Sequence, residues 1–211
     1  MCNMILKKYY GNDSNEIQVG VDEAGRGCLA GPVFAAAVIW DINFEHEKLK
    51  YIKDSKKLTK EKRNMMRKFI EKNALVYAVE YCDNLFIDEH NILNATYTAM
   101  HKALKKVYDV IKFKRILVDG NRFKPLLTTN GFISHECVIK GDNEYLNIAA
   151  ASILAKTYHD EYIDNLCDEN LSLEKYGWRT NMCYGTREHI NSIKELGLTK
   201  YHRKSYNIKF K

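Results

Sequence analysis

Residues 17–40 read IQVGVDEAGRGCLAGPVFAAAVIW, two apolar runs joined by a glycine-rich turn. The first, Ile17 to Asp22, has the β-branched alternation of a strand, and the second, Val33 to Trp40, follows Gly31-Pro32. Proline withholds a backbone donor and glycine frees the turn, so the second run is expected to return beside the first as its hairpin partner. The first strand ends on the adjacent acids Asp22 and Glu23 and passes at once into Gly25-Arg26-Gly27. Two neighbouring carboxylates repel, and holding them together calls for a cation or a basic group beside them. A hard divalent ion such as Mg²⁺ does this with oxygen ligands, keeping waters that a phosphate can displace.

The spacing Gly25-x-Gly27-x-x-Ala30 also touches the dinucleotide-binding fingerprint, which should open a helix whose N-terminus receives pyrophosphate. Pro32 and a strand-like run follow instead, and two acids stand where the phosphates would approach. A surface turn with incidental acids is the blander alternative. Glycines flanking Arg26 favour a ligand-facing loop, since they admit close backbone approach at an entropic cost that a plain turn need not bear.

Outward from this hairpin, Ala74 to Cys82 is a third strand candidate, and Thr59 to Asn73 has helical spacing behind a threonine cap. A long helix is expected from Leu85 to Asp109, then the strand Arg115 to Asp119 (RILVD) closed by Gly120. A short strand at Cys137 to Lys140, an alanine-rich helix from Glu144 to Asn165 and an amphipathic helix from Thr186 to Leu196 complete the pattern. Strands first in a meander and then alternating with helices predict a mixed α/β fold, a central sheet flanked by helices. Residues 1–15 read as a polar tail, residues 16–211 as one catalytic domain, and the region from about 165 as its C-terminal helical extension.

Asp119 ends one strand and Asp142 follows another. Alone, either reads more readily as a turn former or helix cap. Three acid-bearing strand ends read differently: if the strands are sheet neighbours, Asp22, Glu23, Asp119 and Asp142 converge on a site for two metal ions, the arrangement of phosphodiester hydrolysis.

The chain holds 33 Lys and Arg against 27 Asp and Glu, a net charge of +6, which permits a polyanionic partner without requiring one. The basic residues cluster at 53–68 and 202–211. Six cysteines lie scattered without a C-x-x-C pair, against a structural zinc site, and no signal peptide or apolar run of about 18 residues appears. A reducing, cytoplasmic setting with no membrane partner is expected.

In their order along the chain, these segments resemble the ribonuclease HII family, type 2 ribonucleases H with the ribonuclease H-like α/β fold. The resemblance spans about residues 17–206 and rests on DEAGRG at 22–27, DSKKL at 54–58, DEHNIL at 88–93, VDGN at 118–121, KGD at 140–142, AASILAK at 150–156 and HRKS at 202–205. It implies that Asp22, Glu23, Asp119 and Asp142 are the catalytic acids holding Mg²⁺ or Mn²⁺, that Asp160 is structural, and that Gly25, Arg26 and Gly27 contact the ribose 2′-hydroxyl and its adjoining phosphate. That hydroxyl is what separates RNA from DNA.

The resemblance places the family's sugar-packing tyrosine at Tyr184, in NMCYGT, where Cys183 and Gly185 replace the glycine and proline that usually flank it. Ser55, Lys56 and Lys57, before a helix start, are expected to hold a phosphate, as are Arg203 and Lys204, while Asn121 orients a metal ligand or shapes its turn. The implied activity is cleavage of RNA in RNA/DNA hybrids and incision 5′ of single ribonucleotides in duplex DNA, for ribonucleotide and primer removal in replication and repair. A monomer is expected. Arg26 and the short N-terminal segment differ from the ribonuclease HIII type, and SYNIKFK lacks a clamp-binding motif.

Overall fold

In the computed structural model, which describes residues 6–12 and 16–208, the two apolar runs pair as the expected antiparallel hairpin. Strand β1 (Gln18–Ala24) lies against β2 (Val33–Ile39), with Val19 opposite Ile39 and Ala24 opposite Phe34. Helix α1 (Lys60–Asn73), capped by Thr59, leads to β3 (Val76–Cys82), which continues the meander on β2. Helix α2 (Asn84–Val110) then crosses to β4 (Arg115–Asp119), which pairs parallel to β1. A small ribbon of β5 (Leu127–Thr128) and β6 (Gly131–Phe132) precedes β7 (Ser134–Val138), parallel to β4. Helices α3 (Leu146–Glu169), α4 (Trp178–Asn181) and α5 (Arg187–Leu196) follow, and the sheet order is β3-β2-β1-β4-β7.

Side-chain alternation divides the core into two layers. Val19, Val21, Ala35, Ala37, Ile116 and Val118 face α2, where Ala99, Ala103, Leu104 and Val107 receive them. Ala36, Val38 and Trp40 face the other way, onto Met66 and Ile70 of α1 and Ala149, Ala150 and Ile153 of α3. The alanines of α3 let that helix lie close on β1. A methyl group added to Gly20 would stand 2.3 Å from the carbonyl carbon of Asn147 and 2.5 Å from the Ile148 nitrogen. Because both obstacles are backbone, Gly20→Ala is expected to destabilise the protein by ~1–3 kcal/mol, read as a lower urea midpoint at unchanged slope.

Four expectations need correction. The long helix is broken at Asn91, whose φ is 65° and whose side chain caps the following turn by accepting the Asn94 N–H at 3.1 Å. The strand expected at Cys137–Lys140 runs instead from Ser134 to Val138, because its register is set by pairing with Arg115–Asp119; at the sheet edge, SHECV lacks an apolar alternation to announce it. Residues 6–12, read as tail, lie against the body: Lys7 exchanges main-chain hydrogen bonds with Glu144 and Leu146, and Lys8 Nζ donates to the carbonyls of Ile42 and Phe44. Residues 1–5 and 13–15 of that tail, and Lys209 and Lys211 of the basic end, lie outside the described residues.

Finally, the C-terminal region is more than an extension. Its Leu173, Trp178, Cys183 and Ile193 form one apolar cluster with Cys28 and Ala30 of the glycine loop. Main-chain bonds from Leu29 to Cys183 and from Arg203 to Leu29 knit the two together. Among the described residues no helix is long and apolar enough to cross a membrane.

Candidate active site

The parallel pairing of β1 with β4 sets Val21 beside Val118, so Asp22 and Asp119 emerge side by side at the carboxyl ends of neighbouring strands. Glu23 follows directly. Beyond β7 the chain turns at Lys140, in left-handed conformation (φ 58°), into a single 3₁₀ turn, Gly141–Asn143, that carries Asp142. This turn is fastened to the site: the Gly141 N–H donates to Asp119 Oδ1 at 2.7 Å.

Burial and repulsion from neighbouring carboxylates act on all four carboxyls. Asp22, only 5% exposed, is pushed well above the usual carboxylate range by burial and then by Glu23 and Asp119; hydrogen bonds from the Ser152 hydroxyl and the Glu23 N–H offset part of this. Burial raises Glu23 too, against the pull of Arg26, whose Nη1 donates to Glu23 Oε1 at 3.1 Å. Asp119 is raised by burial, with the N–H groups of Gly141 and Asp142 opposing. Asp142 is pushed up to about 6 by burial, then by Asp119 and Asp54. The Lys56 ammonium acts on Glu23, Asp119 and Asp142 together.

A hard divalent cation fits this donor set, which is all oxygen, short of positive charge, and strained by its own repulsion. Among the described residues, no three such side chains are already gathered around one point. The carboxylates instead use local partners, Glu23 with Arg26 and Asp142 with the Asn143 amide at 2.7 Å.

The acids Asp22, Glu23 and Asp119 share a cleft of about 410 Å³ with the glycine loop and Tyr184, while Asp142 is not among its lining residues. Gly25 has φ +86°, and a methyl group on it would stand 2.6 Å from the His159 ring and 2.8 Å from the Pro32 carbonyl oxygen. At Gly27 the nearest atoms to such a group belong to the Tyr184 ring, at 3.7 Å. Lys156 Nζ sits over that ring, 5.2 Å from its centroid.

The backbone before Tyr184 takes two consecutive left-handed residues, Met182 (φ 47°) and Cys183 (φ 63°), with the Cys183 side chain buried. A cysteine therefore occupies a conformation that glycine adopts freely. The loop is pinned nonetheless: Trp178 Nε1 donates to His189 Nε2 at 2.9 Å, which leaves His189 Nδ1–H to donate to the Tyr184 carbonyl at 3.0 Å.

The remaining expected contacts divide. Lys56 lines the cleft, while Lys57 turns to Asn143 and Asp54. Ser55 lines the cleft too, with its hydroxyl 3.1 Å from that of Ser152, the serine beside Asp22. Arg203 is a correction: it is fully buried, with its guanidinium spent on the interior. Asn121 is exposed and does not line the cleft, and neither does Lys204, whose N–H is taken by Asp88.

Much of the basic block at 53–68 is internally paired. Lys60 meets Asp164 at 2.7 Å, Arg63 donates to the Leu58 carbonyl at 2.7 Å, and Arg67 joins Glu71 and Glu161.

Sequence reasoning missed Ser152 and Lys156, although Ser152, Lys156 and Asp160 recur every four residues along an alanine-rich helix, a polar stripe on one face. Asp160 gathers Lys156 at 2.8 Å, His159 at 3.1 Å and Arg63 at 3.6 Å, and so ties the Tyr184 side of the cleft to the Ser55 side.

A family model described as Ribonuclease HII matches residues 19–210. A relative named Ribonuclease HII from Christiangramia forsetii is 51% identical over 191 residues, 90% of this chain and 89% of its own. Among solved structures, the ribonuclease H2 from Pyrococcus horikoshii OT3 has a TM-score of 0.72 at 25% identity, over 90% of this chain and 94% of that one. Bst-RNase HIII in complex with Mn²⁺ has a TM-score of 0.65 at 21% identity, over 86% of this chain and 63% of that one, a likeness of fold.

Proposed function

Since the chain belongs to the ribonuclease HII family, and is thus a type 2 ribonuclease H that cleaves RNA/DNA hybrids endonucleolytically, we propose that it also incises duplex DNA on the 5′ side of a single embedded ribonucleotide. The products carry 3′-hydroxyl and 5′-phosphate ends, and the enzyme serves ribonucleotide and primer removal as a monomer. The observation that carries this reading is the side-by-side emergence of Asp22 and Asp119 from adjacent parallel strands into a cleft that a glycine loop and a tyrosine also line.

The family depends on divalent metal. In this chain Asp22, Glu23, Asp119 and Asp142 would hold Mg²⁺ or Mn²⁺, which supplies activation of the attacking water and neutralises charge at the leaving oxygen. The Glu23 N–H orients Asp22, and the Gly141 N–H orients Asp119. Lys56 adds positive charge where the scissile phosphate approaches. In the same cleft, Gly25, Arg26 and Gly27 present main-chain groups to the 2′-hydroxyl, and the Tyr184 ring supports the neighbouring sugar. Water is the nucleophile in this scheme, because the Cys28 thiol is buried and pushed up to about 12 and the Ser152 hydroxyl is committed to its neighbours.

The test is a labelled duplex with one ribonucleotide, incubated with Mg²⁺ or Mn²⁺ and mapped at nucleotide resolution. A single cut 5′ of the ribonucleotide, absent from the all-DNA duplex, is expected; cutting both equally, or cutting only long hybrids, would overturn the proposal. Activity is also expected to fall as pH drops through about 6. There Asp142 takes up its proton, Asp22 and Glu23 being raised in the same direction, and a protonated carboxyl no longer binds a cation.

A further inference from the structure

Arg203 is a cation enclosed without an acid. It is 0% exposed, and among the described residues no carboxylate pairs with it. Its five N–H donors instead meet five acceptors: Nε the Gly31 carbonyl at 2.9 Å, Nη1 the Arg26 carbonyl and the Tyr206 hydroxyl at 3.0 Å, and Nη2 the carbonyls of Gly25 at 2.8 Å and Pro32 at 2.9 Å. Tyr206 in turn donates to the Arg26 carbonyl at 2.7 Å. A buried charge persists only when its hydrogen-bonding capacity is met, and here four carbonyls of a single loop and the Tyr206 hydroxyl meet it.

The segment is also held from behind. Asp88 accepts the N–H groups of Lys204 and Ser205 at 3.0 and 2.9 Å, and Asn84 donates to the Lys200 carbonyl at 3.0 Å.

A peptide unit whose carbonyl is drawn inward turns its N–H outward. The carbonyls of Gly25 and Arg26 point toward the buried Arg203, which turns the N–H groups of Arg26 and Gly27 away from it, and both residues line the cleft. Among the described residues, none accepts a hydrogen bond from either of these two groups.

We propose that Arg203 is the positioning residue of the ribose-sensing loop: it gathers the carbonyls of Gly25, Arg26, Gly31 and Pro32 and thereby sets the main-chain donors that test the 2′-hydroxyl. This rests on the loop's role given above and assigns its geometry to a side chain that never touches substrate.

The test compares the full-length wild type with Arg203→Lys and Tyr206→Phe. Lysine keeps the charge but offers three donors without the planar fork, and the phenylalanine variant removes only one acceptor and one donor. Three readings are taken: kcat and KM on a single-ribonucleotide duplex against a long RNA/DNA hybrid, Mn²⁺ affinity, and amide hydrogen exchange across residues 24–31. Arg203→Lys is expected to lose about 10–100-fold in kcat/KM on the single-ribonucleotide duplex and less on the hybrid. Mn²⁺ affinity stays unchanged, and exchange rises in residues 24–31 but not in β1 or β4. Tyr206→Phe shifts the same readings in the same direction by less, and it decides alone if Arg203→Lys does not fold.

Wild-type exchange in residues 24–31 and wild-type substrate preference in the folded variants would overturn the proposal. Failure of the ribose-sensing reading looks different: the wild type itself ignores the single ribonucleotide, while loop exchange still reports whether Arg203 holds the loop.

Discussion

Asp22→Asn is expected to lower single-turnover cleavage of an RNA/DNA hybrid by about 10³-fold or more while leaving duplex affinity within a few-fold. The carboxylate emerges beside Asp119, and the substitution removes a charge that the proposed cation site uses; several kcal/mol of transition-state stabilisation corresponds to that factor. The same removal of charge has an opposite effect on stability, clearest at Asp142. Its folded pKa, about 6, lies above the ordinary 3.8, so folding is favoured by protonation. That favourable contribution is complete below the ordinary value and lost as pH rises through 6. At neutral pH without metal, the ionised carboxylate is a burden of ~1–3 kcal/mol, and Asp142→Asn relieves it. A melt in EDTA at pH 7.5 should therefore show Asp142→Asn several degrees more stable than wild type while nearly inactive. A variant that melts lower and still cuts would refute both halves.

The second large effect separates two glycines in one loop. Gly25→Ala places a methyl group 2.6 Å from the His159 ring and 2.8 Å from the Pro32 carbonyl, at a positive φ that alanine resists by ~1–2 kcal/mol. The loop must shift, and cleavage is expected to fall about 10²-fold or more. Gly27→Ala meets only the Tyr184 ring at 3.7 Å, so the fold accepts it. Its melting temperature should stay within about 0.5 kcal/mol equivalent of wild type, while incision at a single ribonucleotide drops at least about tenfold because the methyl group occupies the gap between loop and tyrosine. Equal effects of the two substitutions on melting would contradict this division.

How much of this was legible depended on where the determining partner lies. Arg115–Asp119 matched its expected bounds, because RILVD closed by glycine is a complete local pattern. The β1–β2 hairpin was readable for the same reason, and the parallel pairing of β4 on β1 brings the strand ends at Asp22 and Asp119 side by side. Ser134–Val138 was misplaced because an edge strand takes its register from its neighbour and carries little apolar signal of its own.

Arg203 misled for a related reason. Arginine in a basic terminus ordinarily faces solvent, and its actual partners, the carbonyls of a distant loop, leave no sequence signature. Residues 6–12 were hidden likewise, their main-chain bonds being indifferent to side-chain pattern. Ser152 and Lys156 stood in plain view on a four-residue stripe, and the alanines around them drew attention to packing instead.

The central claim is that four carboxylates, from β1, β4 and the turn after β7, form one cation site. Calorimetric titration of Mn²⁺ into wild type, Asp119→Asn and Asp142→Asn at pH 8 tests it most directly. Saturable binding by the wild type, weakened at least about tenfold in each variant, is the predicted result. Undiminished Mn²⁺ binding by Asp119→Asn and Asp142→Asn would contradict it.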